Sequence, residues 1–355
     1  MKYLGMDVHA KSTTWCLLDA SGEVVREGSV ATTAATLAAL VQELAREEPI
    51  LAGQEVGTMS YLVHDTLSAI GTKILSFNAA QLRMIAASRK KTDRRDAFWI
   101  AKALASGMYP HPVYIPTGEI RELRALLTRR RMLQTERNRW QYRARAALRA
   151  SGRTLRTGGH YLRRSLKGYL ETVSELEAPL RDTLALCQRQ ETALALELRQ
   201  VDTELRRKAR AIDAIQRLET IPAVGDLVAT TIYAWVGEIG RFPDAKSLAA
   251  YAGLVPSVYQ SAASQRSGGI TKQGSKALRS ALVQSAHVLT SRCRTVEARP
   301  LQAIGQRVRT SRGRRKIATV ALARHLLRIA FYILRDGTTY DAKRLRGSTA
   351  ESAAA

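Results

Sequence analysis

The first thirty residues alternate between short apolar runs and turn-forming residues, the signature of β-strands. Tyr3 to Val8, Thr13 to Leu18 and, beyond a turn at Asp19-Ala20-Ser21-Gly22, Val24 to Gly28 read as a three-stranded meander. The period then changes. Leu37, Leu40, Val41 and Leu44 fall on one face of a helix that Thr32 or Thr33 can cap, and Pro49 leads into a fourth strand, Ile50 to Val56. A helix near 61–70 and a strand at 73–77 continue the alternation. Three antiparallel strands followed by alternating helices and strands is the order of a ribonuclease-H-like domain, in which carboxylates from the first and fourth strands meet. The pattern predicts such an α/β domain over residues 1–112.

Residues 113–215 read differently, as two long helices rich in Leu and Arg whose only proline between 118 and 215 is Pro179. In the second helix Leu194, Leu198, Val201, Leu205, Ile212 and Ile215 recur at spacings of three and four, as an antiparallel coiled-coil arm requires, with Gly152, Gly158 and Gly159 marking its tip. The first helix is too basic for an ordinary solvated face: Arg129, Arg130 and Arg131 are followed by Arg137, Arg139, Arg143 and Arg145. Trp140 and Tyr142 among them are placed either to stack on bases or to fill the coiled-coil core.

A compact helical domain is expected over 216–344, ahead of a disordered tail at 345–355. Thr220-Ile221-Pro222-Ala223-Val224-Gly225 resembles a helix-hairpin-helix turn, whose amides at Val224 and Gly225 suit a nucleic-acid phosphate; a Pro-Gly turn also simply joins helices. Residues 257–275, rich in Ser, Gly and Gln, read as a polar loop carrying Lys272, between a helix at 245–252 and one beginning near Ser275. After a basic stretch from Arg307 to Lys316, an amphipathic helix is expected to turn Ile317, Val320, Leu327 and Ile333 toward the core.

Charge sharpens this division. The chain has 56 Lys and Arg against 31 Asp and Glu, yet residues 1–100 hold 11 of each sign, so the net +25 lies wholly in residues 101–355. Spread through Arg-rich helices, the excess favours a polyanionic partner over a membrane surface. No run approaches the ~20 apolar residues of a membrane span. Three scattered cysteines, Cys16, Cys187 and Cys293, lack metal-ligand spacing and point to core thiols in a reducing cytoplasm.

Against this background four carboxylates stand out. Asp7 interrupts an apolar strand, where an unpaired carboxylate costs several kcal/mol. Glu55 ends the fourth strand. Asp93 and Asp96, in Lys90-Lys91-Thr92-Asp93-Arg94-Arg95-Asp96, share one face of a helix that Thr92 can cap. The bland readings are a strand-end glutamate and acids drawn to a helix N-terminus by its dipole. Together the four acids could hold one or two Mg²⁺ ions, with Mn²⁺ tolerated, as in-line displacement at phosphorus requires.

Asp7, Glu55 and the Lys91-Thr92-Asp93-Arg94-Arg95-Asp96-Ala97 segment resemble the DEDD motif of the IS110-type insertion-sequence transposases, relatives of the Piv/MooV DNA invertases. Ile221-Pro222-Ala223-Val224-Gly225, Phe242, Tyr251-Ala252-Gly253-Leu254-Val255-Pro256, and Gly274 with Leu278-Arg279 resemble that family's second domain. The resemblance implies a RuvC-like domain, a coiled-coil arm and a helical transposase domain carrying a nucleophilic serine. By position after Pro256 that serine matches Ser261, with Ser257, Ser264 and Ser267 in the same loop. It further implies that the acids of one protomer are completed by the serine domain of another in a dimer or tetramer. Donor and target DNA would be selected by a structured noncoding bridge RNA. The expected activity is thus a metal-dependent DNA transposase or recombinase; the rivals are a RuvC-like junction-resolving endonuclease that activates water, and a non-catalytic nucleic-acid-binding protein.

Overall fold

The computed structural model describes residues 1–85, 93–152, 176–261 and 264–343, with the backbone alone at 83–85, 257–261 and 264–268. The chain divides into two compact units, Met1–Pro116 and Thr117–Ala355.

In the first unit β1 (Lys2–Val8), β2 (Ser12–Leu18) and β3 (Val24–Ala31) form the meander, and β4 (Ile50–Glu55) and β5 (Lys73–Phe77) extend it in parallel to give the order β3-β2-β1-β4-β5. Because side chains alternate across a strand, the sheet has two distinct faces. Leu4, Met6, Trp15 and Leu17 pack against Leu37, Leu40, Val41 and Leu44 of α1 (Ala34–Leu44) and Val63 and Leu67 of α2 (Ser60–Ala69). Thr33 caps α1, accepting from the Thr36 amide at 3.2 Å. After the short α3 (Ala79–Ile85), α4 (Asp93–Ser106) covers the opposite face through Ala97, Ala101, Ile100 and Leu104. A mixed sheet of this order between two helical layers is a ribonuclease-H-like unit. Thr92, expected to cap α4, lies outside the described residues.

The second unit opens with α5 (Gly118–Ala150) and α6 (Ala178–Arg210), each of 33 residues. Ion pairs Glu122–Lys208, Arg130–Asp202 and Arg137–Glu191 run in opposite sequence order and fix the two helices antiparallel, and Arg129–Glu197 joins them as well. Leu198, Val201 and Leu205 are buried along α6, while Leu194 is half-buried. The expected continuous stripe to Ile215 is broken: α6 ends at Arg210, Ile212 adopts an extended backbone, and Ile215 belongs to α7 (Asp213–Glu219). This break redirects the apolar stripe into the C-terminal core, where Leu123, Leu127, Val201 and Leu205 join the residues that follow. Gly152 ends the first arm helix with a φ of 74°, and Gly158 and Gly159 lie outside the described residues.

That core is built from α8 (Asp226–Val236), α9 (Ala245–Tyr251), α10 (Lys276–Ser291), α11 (Arg299–Arg312) and α12 (Arg315–Asp336). Leu322, Leu326, Leu327, Ala330, Phe331 and Ile333 bury one face of α12. Ile317, expected inward, is 43% exposed, because five residues before Leu322 at about 100° per residue it falls on the far side of the helix. By length and composition α12 could cross a membrane, contrary to the expectation that no run is long enough; here it is a core helix, and Arg324 and Arg328 interrupt it. The expected polar loop after α9 is instead partly a hairpin, β6 (Pro256–Ser261) with β7 (Ser264–Ile270). It lacks the apolar alternation of a half-buried strand, so its backbone ladder and its anchored base maintain it. The tail from 345 lies outside the described residues. Cys16 and Cys187 are buried thiols and Cys293 is half-buried.

Candidate active site

Two glycines determine how closely α4 approaches the sheet. Gly5 and Gly53 face each other on the paired strands β1 and β4, on the side that α4 covers. A Cβ at Gly5 would stand 2.0 Å from the Ala97 carbonyl oxygen and 2.5 Å from the Ala101 amide nitrogen. At Gly53 it would meet Ile100 Cγ2 and Leu104 Cδ1, both at 2.9 Å. The helix backbone therefore rests on the strand backbone, as glycines in a strand permit. One pleat further along each strand, on the same face, stand Asp7 and Glu55. The register that pairs Met6 with Gln54 makes these two acids neighbours across the strands.

The first turn of α4, just N-terminal to Ala97, brings Asp93 and Asp96 to this end of the sheet. His9, immediately after β1, joins them: its Nε2 lies 3.3 Å from Asp7 Oδ2 and 3.6 Å from Asp93 Oδ2. Asp7, His9 and Asp93 each present a ligand atom within 4.8 Å of the others. Asp96 and Glu55 stand outside that tight group, although Asp96 is near enough for its charge to act on Asp7. Burial, opposed by His9 and reinforced by the charges of Asp93 and Asp96, raises the Asp7 pKa above its ordinary value. Such a cluster concentrates negative charge in a half-buried place, and a divalent cation relieves it; two carboxylates and an imidazole are suitable donors. His9, Gly5 and Gly53 are not among the residues that the sequence singles out.

Around the cluster, Arg94 ties α4 to β3 by a fork onto Glu27, with Nε donating to Oε2 at 2.8 Å. Behind Glu55, the buried Gln54 donates to Ser76 Oγ at 3.0 Å and to the Ser60 carbonyl at 3.2 Å, pinning the turn after β4.

In the second unit the base of the β6–β7 hairpin is anchored. Gly253 and Gly274, both with positive φ, let the chain segments on either side of the hairpin touch: a Cβ at Gly274 would lie 1.9 Å from the Tyr251 carbonyl oxygen. The Ser275 amide donates to Tyr251 O, the Thr271 amide to Val255 O, and Arg279 Nη1 to Ala252 O at 2.9 Å. Tyr251 also donates to Trp235 O at 3.1 Å, and its ring meets that of Phe242 edge-on. Ser261 stands at the far end of β6, paired with Ser264. Lys272 is exposed beside the base, in a left-handed backbone with φ 56°.

The expected nucleic-acid contacts differ in their surroundings. Arg129, Arg130 and Arg137 are engaged across the arm by acids of α6, and Arg139 pairs with Glu136. Arg131 is exposed. Arg143 lies over the half-buried Trp140 at 4.3 Å, whereas Tyr142 is exposed beneath Arg145. In the turn before α8, Ala223 has a φ of 64° and its carbonyl accepts from Ser285 Oγ. The Val224 amide donates internally to Ile221 O, and Asp226 in the first turn of α8 pairs with Arg206. The positive end of α8 thus already has an anion beside it.

Carboxylates of the first strand, the fourth strand and a covering helix, gathered at one end of a ribonuclease-H-like sheet, define an acidic-site domain of the DEDD class. The chain belongs to the IS110-type transposase family: residues 4–151 match a family model described as "Transposase", and residues 215–301 match "Transposase IS116/IS110/IS902 family". The transposase for insertion sequence element IS1111A of Coxiella burnetii is 32% identical over 200 residues, 56% of this chain and 55% of that protein. The transposase for insertion sequence element IS1328 of Yersinia enterocolitica is 29% identical over 147 residues, 41% of this chain and 43% of that protein. The chain thus spans about half the length of these relatives. A solved structure described as T. thermophilus RuvC in complex with Holliday junction substrate aligns at a TM-score of 0.25 with 12% identity, over 32% of this chain and 99% of that one. So low a score adds nothing to the strand order.

Proposed function

We propose that the protein is a DNA transposase that excises and inserts its own insertion sequence by metal-assisted attack of a serine on DNA phosphodiesters. The observation that carries this reading is the approach of Asp7, His9 and Asp93 at the end of a ribonuclease-H-like sheet, next to Glu55 and Asp96. Asp7, Glu55, Asp93 and Asp96 would hold Mg²⁺ or Mn²⁺, which when bound neutralises charge developing on the phosphoryl oxygens. The carboxylates orient the scissile group, and the backbone contact of α4 with Gly5 holds their spacing.

Ser261 is the proposed nucleophile; its match in position after Pro256 to the family's serine supports this, and it ends β6 opposite Ser264. Its Oγ forms a bond to phosphorus, one phosphorus–oxygen bond to deoxyribose breaks, and the departing sugar oxygen takes up a proton. The phosphodiester energy is conserved in the protein–DNA link for rejoining. The acids and the serine of different protomers would combine in a dimer or tetramer. A structured noncoding bridge RNA would select donor and target by base pairing. The near-neutral first hundred residues and the basic remainder support this division, since a protein that delegates sequence reading needs mainly phosphate and shape contacts. Arg129, Arg130, Arg131, Arg137, Arg139, Arg143, Lys272 and the Gly225 amide are the proposed contacts; the Val224 amide, expected among them, is already given to the Ile221 carbonyl.

The test is a cleavage assay on labelled DNA with the cognate RNA. Asp7→Ala, Glu55→Ala, Asp93→Ala or Asp96→Ala, or EDTA, should abolish cleavage and leave nucleic-acid binding intact; full activity in EDTA would sink the metal site. Ser261→Ala should lose both the denaturation-resistant protein–DNA adduct and strand exchange. Undiminished cleavage to free ends by Ser261→Ala would favour a junction nuclease that activates water.

A further inference from the structure

A recess of about 350 Å³ opens between α10, α11 and α12, lined by Arg294, Arg309 and Arg315 with Thr290, Gln302 and Gln306. All three arginines are exposed, and among the described residues no acidic side chain lines the recess and none of the three arginines has an ion pair. A smaller cavity in this unit differs: there Arg130 and Arg206 are matched by Asp202 and Asp226. Repulsion between guanidinium groups gathered on one recess opposes folding unless an anion enters.

The helix dipole compounds this. Arg314 caps α12, Arg315 and Lys316 begin it, and its first turn has no acidic residue, so three cations sit at the positive end of a 22-residue helix. That arrangement is the reverse of what helix stability favours and is what an anion site requires. The polar lining is partly committed: Gln302 gives both amide hydrogens to the carbonyls of Leu289 and Cys293, which fixes the α10–α11 side of the recess.

We propose that this recess seats backbone phosphates of a nucleic-acid strand, a binding site separate from the acidic cluster. The proposal rests on the reading that the chain handles nucleic acid, but it requires no cleavage. Three guanidinium groups can form forked hydrogen bonds to phosphate oxygens, and the recess admits the sugar-phosphate chain that a flat basic surface would only touch. Recognition is of charge and geometry, independent of base sequence.

The test compares three full-length proteins, wild type, Arg294→Gln/Arg309→Gln/Arg315→Gln and Ala303→Trp, binding duplex DNA or a single-stranded oligonucleotide over a range of salt. Loss of three phosphate contacts should lower the slope of log affinity against log salt by about 2.7 on duplex or about 2 on a single strand, which also tells which form occupies the recess. Ala303→Trp fills the recess and keeps every charge; it should weaken binding at each salt concentration. Unchanged slope and affinity in the triple variant would overturn the site, as would wild-type binding by Ala303→Trp, which would assign the effect to diffuse charge. Thermal melting of the unliganded proteins controls for folding, and the triple variant should melt no lower than wild type. Failure here leaves the acidic cluster untouched, whereas cleavage by Asp7→Ala would sink that cluster and leave this site standing.

Discussion

Gly5→Ala isolates the architecture of the acidic cluster without touching any of its ligands. The new methyl would begin 2.0 Å from the Ala97 carbonyl oxygen and 2.5 Å from the Ala101 amide nitrogen, and both are main-chain atoms of one helix that cannot rotate away. Restoring a carbon–oxygen separation of about 3.3 Å obliges α4 to retreat by roughly 1.3 Å. Overpacking of this kind costs about 1–3 kcal/mol in stability. The same retreat carries Asp93 and Asp96 away from Asp7 and Glu55, and a misplacement of about 1 Å at reacting groups costs on the order of a hundredfold in rate. The assay is single-turnover cleavage at saturating substrate, alongside denaturant melts. Gly57→Ala serves as the control, because a Cβ there meets nothing within 4 Å. Gly5→Ala should lose about a hundredfold in rate and keep nucleic-acid affinity, whereas Gly57→Ala should match wild type. Wild-type cleavage by Gly5→Ala would refute the claim that backbone contact sets the spacing of the acids.

Further outcomes follow from electrostatics. The Asp7 pKa is raised in the folded chain, chiefly by burial, so the stability associated with its protonated form is present below about 3.8 and is lost as pH rises through the higher folded value. Asp7→Asn should therefore stabilise the metal-free protein at neutral pH, with the difference vanishing at acid pH in calorimetric melts. His325 behaves oppositely: burial, aided by Arg328, Arg324 and Arg307, lowers its pKa from 6.5 to about 4. The stability tied to its neutral form is complete above 6.5 and is lost as pH falls toward 4, and a pH series of melts on His325→Gln should show that loss reduced. In the arm, Glu191 accepts from Arg137 at 2.6 Å with both side chains largely buried. Glu191→Ala should destabilise by about 3 kcal/mol because it strands a buried cation. Arg129→Ala, at a more exposed pair, should cost under about 1 kcal/mol, and denaturant melts separate the two.

Much of the first unit was legible because period-two strands and a period-3.6 helix follow one another cleanly. Asp7 was visible as a carboxylate in an apolar strand, and Asp93 and Asp96 as acids opening a helix. What escaped was the packing reason for their meeting. Gly5-Met6-Asp7 and Gly53-Gln54-Glu55 each place a glycine two residues before an acid, so the side-chain-free position and the carboxylate share a strand face. That signal was readable, but its meaning depends on a helix about ninety residues away in sequence. His9 was invisible as a partner because it lies past the strand end. The β6–β7 hairpin was hidden because a polar strand pair has no hydrophobic period, and its base depends on contacts with Tyr251 and Val255. The turn of the stripe at Ile212 was hidden because identical apolar spacing serves a continuous helix and a broken one.

The seating of α4 on bare strand backbone gives the acidic cluster a one-sided mechanical limit. The helix can move away from the sheet against attractive packing and the polar ties of Arg94 to Glu27 and Lys102 to the Gly22 carbonyl, but cannot move inward without atomic overlap. The separation between strand and helix carboxylates thus has a floor and no rigid ceiling. An ion with ligand distances of 2.3–2.6 Å, such as Ca²⁺, can be accommodated by outward movement, while one needing 2.0–2.1 Å must be served at the closed limit. Discrimination between ions of different size would then follow from a backbone contact rather than from the identity of any ligand.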